Sequence, residues 1–332
     1  MNRNRRRWRK GLVIANLILW GLVAVVFLLI TQPMPAPMLD DPPEMKVSAE
    51  RLQTHVKMLA ETFSPRDYTH TENLDRTAEY IKQELAQTPG AISEQPYKAN
   101  GKSYCNVLAL FGPATAERIV IGAHYDVCQP YPGADDNASG VAGLIELAHL
   151  LGNTELPLQV ELVAYTLEEP PFFRSEAMGS AVHANALKKQ NIQVRAMFSL
   201  EMIGYFSDEP DSQQFPNPIL KLFYPSRGNF IAVVGNFGQM GLVRKVKRAM
   251  RSTALLPVHS INAPGWLPGI DFSDHLNYWR VGYPAVMITD TSFYRNQNYH
   301  TAQDTAEKLD YNRMAKVVES IYAAILALAR IP

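Results

Sequence analysis

From Ser48 onwards, apolar positions recur with two periods. Between Thr71 and Leu85, Leu74, Ala78, Ile81 and Leu85 fall three or four apart, which gathers them on one face of a helix. Ser48 has the hydroxyl that an N-cap needs and opens a similar stretch running to about Thr62. The pattern then shifts. SYCNVLALFG and ERIVIGAHYDV are β-rich runs separated by a short turn, which predicts a hairpin between them. An apolar helix over Ser139–Leu151, a strand in LQVELVAYTL, a helix over Ser175–Lys189 and a strand in QVRAMFSLEM follow. NFIAVVG predicts a strand, Gln239–Arg251 a basic-faced helix, YPAVMIT a strand, and Thr305–Leu328 a closing helix. Alternating strands and helices place the chain in the α/β class. The expected architecture is a three-layer sandwich with a central mixed, mostly parallel sheet flanked by helices. In such open sheets the functional site lies beyond the carboxyl ends of the strands.

One stretch has no period at all. Gly11–Ile30 is GLVIANLILWGLVAVVFLLI, 20 residues without a charge, the length that crosses a ~30 Å hydrocarbon layer. The ten residues before it, MNRNRRRWRK, hold six basic residues and no acid. Basic flanks stay cytoplasmic. The expected topology is therefore a single-pass helix over residues 11–31 in the inner (cytoplasmic) membrane, its partner the lipid bilayer. The basic head, residues 1–10, stays inside, and the rest lies in a bacterial periplasm. The rival is a cleaved signal peptide. Those have apolar cores of roughly 7–15 residues and a small-x-small cleavage site, whereas TQPMPAP follows here. NRRRWRK is also loosely like a twin-arginine export signal. Residues 32–47 contain Pro33, Pro35, Pro37, Pro42 and Pro43 and read as a stiff linker, which leaves residues 48–332 as one folded domain.

Composition adds two exclusions. A chain of 332 residues, 47% hydrophobic and 19% charged, is globular with a sizeable core. Its formal net charge of zero hides a split: beyond the first ten residues it carries 26 basic against 32 acidic residues. That body gives no ground for a nucleic-acid partner. Cys105 and Cys128 are the only cysteines and form no CxxC, so a thiolate zinc site is unsupported. In an oxidising compartment they could pair; otherwise they are two small buried residues.

The chemistry collects at strand ends. His124 and Asp126 follow ERIVIGA, Glu168 and Glu169 follow LQVELVAYTL, Glu201 follows QVRAMFSL, and Asp290 follows YPAVMIT, with Tyr299 and His300 shortly beyond. GADDNASG brings Asp135 and Asp136 just before a helix. Singly, each reads as a cap, a turn or a satisfied core residue. Together, two imidazoles and at least four carboxylates converging on one edge would repel one another without a cation. Zinc takes both ligand types, and two metals about 3.5–4 Å apart can share a carboxylate. Asp126 is two residues past His124, on the same side of an extended strand, and could accept the second imidazole N–H. HExxH, GxSxG, P-loop and GxGxxG motifs do not occur.

GAHYD, GADDNASG, the EE pair, SLEMIGY and YHTAQDT, in that order over roughly residues 50–330, resemble the family of co-catalytic dizinc aminopeptidases. That family includes glutamate carboxypeptidases, glutaminyl cyclases and the non-catalytic transferrin-receptor ectodomains. The resemblance implies two Zn2+ per chain and a peptide substrate. Asp136 would bridge the metals, His124 and Glu201 would complete one site, and Glu169 and His300 the other. Glu168 would be the general base, taking the proton of the attacking water and returning it to the leaving amine. Tyr299 would donate to the tetrahedral oxyanion, as in some relatives. SDH, Ser273 to His275, also recurs in the family and reads as a helix cap with supporting hydrogen bonds. Many relatives carry aspartate where this chain has Glu201, whose extra methylene moves the carboxylate. The implied function is a membrane-anchored zinc exopeptidase of aminopeptidase type. The alternatives are single-zinc acyl transfer of the glutaminyl-cyclase kind and a binding module without catalysis.

Overall fold

The computed structural model of the chain describes residues 2–32 and 47–330. Except for Gln32 and Val47, the proline-rich segment lies outside the described residues. Eight strands form one sheet: β1 (Ala91–Ala99), β2 (Lys102–Phe111), β3 (Glu117–His124), β4 (Gln159–Tyr165), β5 (Gln193–Glu201), β6 (Ile231–Gly235), β7 (Val258–Asn262) and β8 (Ala285–Thr289). Their order is β1-β2-β4-β3-β5-β8-β6-β7. β4, β3, β5 and β8 are mutually parallel, as are β6 and β7; β1/β2, β2/β4 and β6/β8 are antiparallel. The sheet is thus mixed and mostly parallel.

The expected hairpin is elsewhere. β2 and β3 do not pair with each other, because β4 lies between them. β2 instead folds back on β1, with Ala99 opposite Lys102 across a two-residue loop of Asn100 and Gly101. Both loop residues have positive φ, 48° and 79°, as the twist of a tight hairpin requires. An Asn-Gly pair is the strongest short-range hairpin signal. The strand it closes, AISEQPYKA, is mostly polar and half exposed, so periodicity misses it. β7, VHSIN, is an edge strand of only five residues and too short and polar for a period to show.

Strand alternation divides the core. In β4, Val160, Leu162 and Ala164 face one cluster, and Val163 and Tyr165 face the other. The first cluster is covered by α2 (Ala49–Lys57), α3 (Thr71–Leu85), α4 (Gly140–Gly152), α6 (Met240–Ser252) and α8 (Tyr311–Ala329). The second is covered by α5 (Gly179–Lys189) and α7 (His275–Arg280). Ser48 caps α2 by accepting from the Arg51 N–H at 3.1 Å, and a π-turn carries the helix on to Thr62. Two helices begin later than periodicity suggests. α5 starts at Gly179 because Pro170 and Pro171 and the turns after them occupy the preceding stretch. α8 starts at Tyr311, where Asp310 accepts from the Arg313 N–H at 2.9 Å. At the other end of the chain, α1 (Asn2–Thr31) is long and apolar enough to cross a membrane.

The hairpin gives a first prediction. Gly101→Ala puts a side chain on a left-handed residue with open space around it. The strain costs about 1 kcal/mol and lowers the thermal midpoint by a few degrees in calorimetry. An unchanged midpoint would contradict the positive-φ turn.

Candidate metal centre

Because β4, β3, β5 and β8 are parallel, their carboxyl ends share one edge. His124 ends β3, Glu201 ends β5, and Glu168 and Glu169 follow β4. The loop between β3 and α4 delivers Asp136, and the loop after β8 delivers Tyr299 and His300. Three junctions are held in left-handed backbone: Leu167 before the glutamates (φ 61°), Met202 after Glu201 (φ 50°) and His300 itself (φ 52°). Such strain persists only where surrounding contacts over-determine it.

Asp136 stands between the two imidazoles. Its Oδ1 is 3.4 Å from His124 Nε2, and its Oδ2 is 3.0 Å from His300 Nε2. Glu201 Oε2 lies 3.5 Å from His124 Nε2, and Glu169 Oε1 lies 3.2 Å from His300 Nε2. Two donors about 2.0–2.1 Å from one tetrahedral ion lie roughly 3.3–3.4 Å apart. The two spacings at His124 Nε2, 3.4 and 3.5 Å, fit that edge length better than a hydrogen bond. His124 Nε2 and Asp136 Oδ2 are buried and make no hydrogen bond, which is costly unless something else occupies them. His124, Asp136 and Glu201 offer donor atoms all within 4.8 Å of one another, and so do Glu169, His300 and Cys128. These donors fit two divalent cations. Cys128 and Cys105 are both free thiols.

Glu168 Oε2 lies 4.0 Å from His124 Nε2 and is 7% exposed. Both Glu168 and Glu169 are held through their main chain, whose N–H groups donate to the two oxygens of Asp126, each at 3.1 Å. Asp126 was expected to accept from His124 by its side chain. That oxygen is 3.6 Å from His124 Nδ1, and the Asp126 carbonyl is the nearer acceptor at 3.1 Å. Tyr299 stacks its ring on His300, centroids 3.8 Å apart. Asp290 is buried nearby and accepts from the Tyr205 and Ser292 N–H groups rather than joining the donors.

Three supporting residues carry no distinctive sequence signal for their roles. Arg66 is fully buried and donates to the carbonyls of Leu59, Tyr125, Pro132 and Gly133, fixing the chain just after His124 and just before Asp136. Asp304 accepts from the N–H groups of Asp135 and Asp136 at 3.0 Å each. Ser273 donates to Glu201 Oε2 at 2.7 Å. The YHTAQDT and SDH motifs contain Asp304 and Ser273, but only the fold says what they hold. Arg66 sits in an ordinary loop sequence.

The electrostatics are those of a site waiting for positive charge. Burial, then the neighbouring Asp136 carboxylate, raises Glu169 to about 8. Burial raises Glu168 well above the carboxylate range, against the pull of His124. Burial also raises Asp136, but the His124 and His300 imidazoles that face its two oxygens outweigh it and hold the group low. Burial lowers both histidines, yet the carboxylates around them keep both raised.

The sign of the pH dependence follows. Without metal, folded Glu169 keeps a proton up to about 8, whereas the unfolded group loses it near 4.5. The folded state therefore binds more protons between those values, and metal-free stability falls as pH rises through that window. The raised Glu168 and histidines act in the same direction. Bound zinc replaces the protons, so its affinity rises with pH. Calorimetry of chelator-treated and zinc-loaded protein should show thermal midpoints that separate progressively from pH 5.5 to 8. A constant gap would contradict these shifts.

The model of peptidase family M28 matches residues 106–325. The uncharacterized protein YfbL of Escherichia coli K12 is 50% identical over 282 residues, covering 82% of this chain and 86% of that one. Leucine aminopeptidase 1 of Ajellomyces dermatitidis is 28% identical over 223 residues, covering 63% of this chain and 52% of that one. The chain thus spans about half the length of that relative. The LapA aminopeptidase of Legionella pneumophila shares the fold with a TM-score of 0.68 and 21% identity, over 86% of this chain and 73% of that one. The glutaminyl cyclase of Bacteroides thetaiotaomicron shares it with 0.65 and 18%, over 88% and 99%. One fold therefore serves both chemistries. By the family model and by its half-identical relative, the chain belongs to peptidase family M28 and is a zinc metallopeptidase of aminopeptidase-like type.

Proposed function

We propose that the protein is a membrane-anchored two-zinc aminopeptidase of the periplasm, acting on short peptides with an apolar first residue. The domain layout is a cytoplasmic head (1–10), an anchor (11–31), a linker (32–47) and a zinc peptidase domain (48–332). The observation that carries the reading is Asp136, with one oxygen towards each imidazole at 3.4 and 3.0 Å. That is how a carboxylate shared by two ions is expected to sit. His124 and Glu201 complete one site, and Glu169 and His300 the other. Bound zinc supplies Lewis acidity, polarising the scissile carbonyl and acidifying the attacking water.

The chain's own residues do the rest. Glu168 accepts the proton of the attacking water and passes it to the leaving amine. A buried carboxyl raised above its usual range binds the proton more tightly between the two steps. Burial, above all, keeps the Tyr299 phenol protonated, and it donates to the oxyanion that forms on the substrate. Beside the centre lies an apolar cleft of about 720 Å³, its open mouth included, lined by Phe230, Leu267, Ile270, Phe272, Met287 and Phe293 among others. Phe272 precedes Ser273, which donates to Glu201, and Phe293 packs on Tyr299, ring centroids 5.5 Å apart. The cleft is therefore one side chain from the proposed metals and suits the first residue of a peptide.

Elemental analysis should find close to two zinc ions per chain. A single ion, with cyclised N-terminal glutamine as product, would favour the glutaminyl-cyclase alternative. Glu168→Gln should keep both metals and lose about 10²–10⁴-fold in kcat; a near-normal rate removes it as the base. Asp136→Ala should lose metal from both sites, and unchanged zinc content refutes the bridge. The cleft should favour leucyl over alanyl amides in kcat/KM by on the order of 10–100-fold.

A further inference from the structure

Helix α1 ends on the folded domain. Lys247 of α6 donates to the Thr31 carbonyl at 2.6 Å and to the Gln32 carbonyl at 3.2 Å, and Ser260 of β7 donates to Thr31 at 2.9 Å. Arg244 of α6 donates to the Gln32 side chain at 2.9 Å, and that side chain donates to Asn262 of β7 at 3.0 Å. The last carbonyls of a helix carry the negative end of its dipole, so a lysine and an arginine suit that position. One turn earlier, Phe27 rests on Phe223, ring centroids 5.4 Å apart. The β7 edge of the sheet and the segment Pro218–Leu222, a single 3-10 turn, therefore sit where α1 stops.

Two features of this edge point the same way. Ile219 and Leu222 are 56% and 77% exposed, next to the residue that touches Phe27. Beside the end of α1, α6 carries Arg244, Lys247, Arg248 and Arg251 at i, i+3, i+4 and i+7, with Lys245 bordering them and no acid anywhere in the helix. Arg244, Lys245, Arg248 and Arg251 are exposed. Apolar side chains thus lie level with the last turn of α1, and cations lie level with its end. A protein crossing from hydrocarbon to headgroups presents that sequence of surfaces.

We propose that this edge rests on the bilayer, with Ile219 and Leu222 entering the interface and the basic face of α6 contacting anionic headgroups. The proposal rests on the reading of α1 as a transmembrane anchor. Leu220 and Tyr224, from the same stretch, line the apolar cleft, so docking holds the cleft beside the membrane surface.

The test uses the full-length chain in vesicles containing nitroxide-labelled lipid. A fluorophore is placed on Leu222→Cys or on Ser93→Cys, the latter exposed on β1 at the opposite edge of the sheet. The parent chain gives the background from Cys105 and Cys128. In phosphatidylcholine vesicles with added phosphatidylglycerol, the label at 222 should be quenched several-fold more than that at 93. Lys245→Gln and Arg248→Gln should each lower the docked-to-free ratio about fivefold. Equal quenching at 222 and 93, in a chain that still floats with the vesicles, overturns docking and leaves the anchor standing. Quenching at 222 that ignores phosphatidylglycerol and both charge changes overturns the headgroup contact. A chain that does not float with vesicles removes the anchor, and docking with it.

Discussion

Four carboxylates and two imidazoles are packed at one sheet edge, with almost no water to solvate them. Asp136, Glu168, Glu169 and Glu201 are each less than 10% exposed. Placing so many acids together out of water is unfavourable unless protons or cations share the site. The upward shifts of Glu168, Glu169 and Glu201 are the proton solution, and zinc, which the family uses, is the cationic one. Burial, with the neighbouring Glu169 and Glu201 carboxylates, raises the proton affinity of Glu168 against the pull of His124.

Holding the crowd in place takes a second layer with an unusual division of labour. Asp126 and Asp304 each spend both oxygens on main-chain N–H groups, the first of Glu168 and Glu169, the second of Asp135 and Asp136. Arg66 answers with a buried guanidinium spread over four carbonyls. Burial lowers its pKa to about 10, against the pull of Asp126, Asp304 and Asp136, so it stays charged at neutral pH. Backbone is thereby clamped by side chains, which leaves the side chains of Glu168, Glu169 and Asp136 free to face the reaction. The left-handed residues at Leu167, Met202 and His300 are affordable only because this layer over-determines them.

The β6/β7 end of the sheet carries both the apolar cleft and the contacts of α1. The apolar cleft is built largely from β6, β7, β8 and the stretches around residues 213–230 and 267–272. The end of α1 docks on the same edge. Leu220 and Tyr224 of the cleft belong to the same stretch as Phe223, which packs on Phe27 of α1.

The sequence by itself determined the elements whose signals are local. Period-2 and continuous apolar runs gave β3, β4, β5 and β8, the 3.6 period gave α3 to the residue, and the acids and histidines at the strand ends marked the right edge of the sheet. The five motifs in order were enough to indicate the family. Tertiary structure decided everything that depends on partners far apart in the chain. That β4 enters between β2 and β3 cannot be read from either run, because apolar strands pair with whichever neighbour completes the sheet. Asn100-Gly101 between β1 and β2 is a local turn signal, yet the half-exposed strand before it has too weak a pattern to name a partner. Asp126 could be placed on the correct side of its strand, but not turned towards the Glu168 and Glu169 amides 42 and 43 residues away. Arg66 gave no sign at all, since the carbonyl oxygens that its guanidinium binds are present in every residue and leave no trace in composition or spacing.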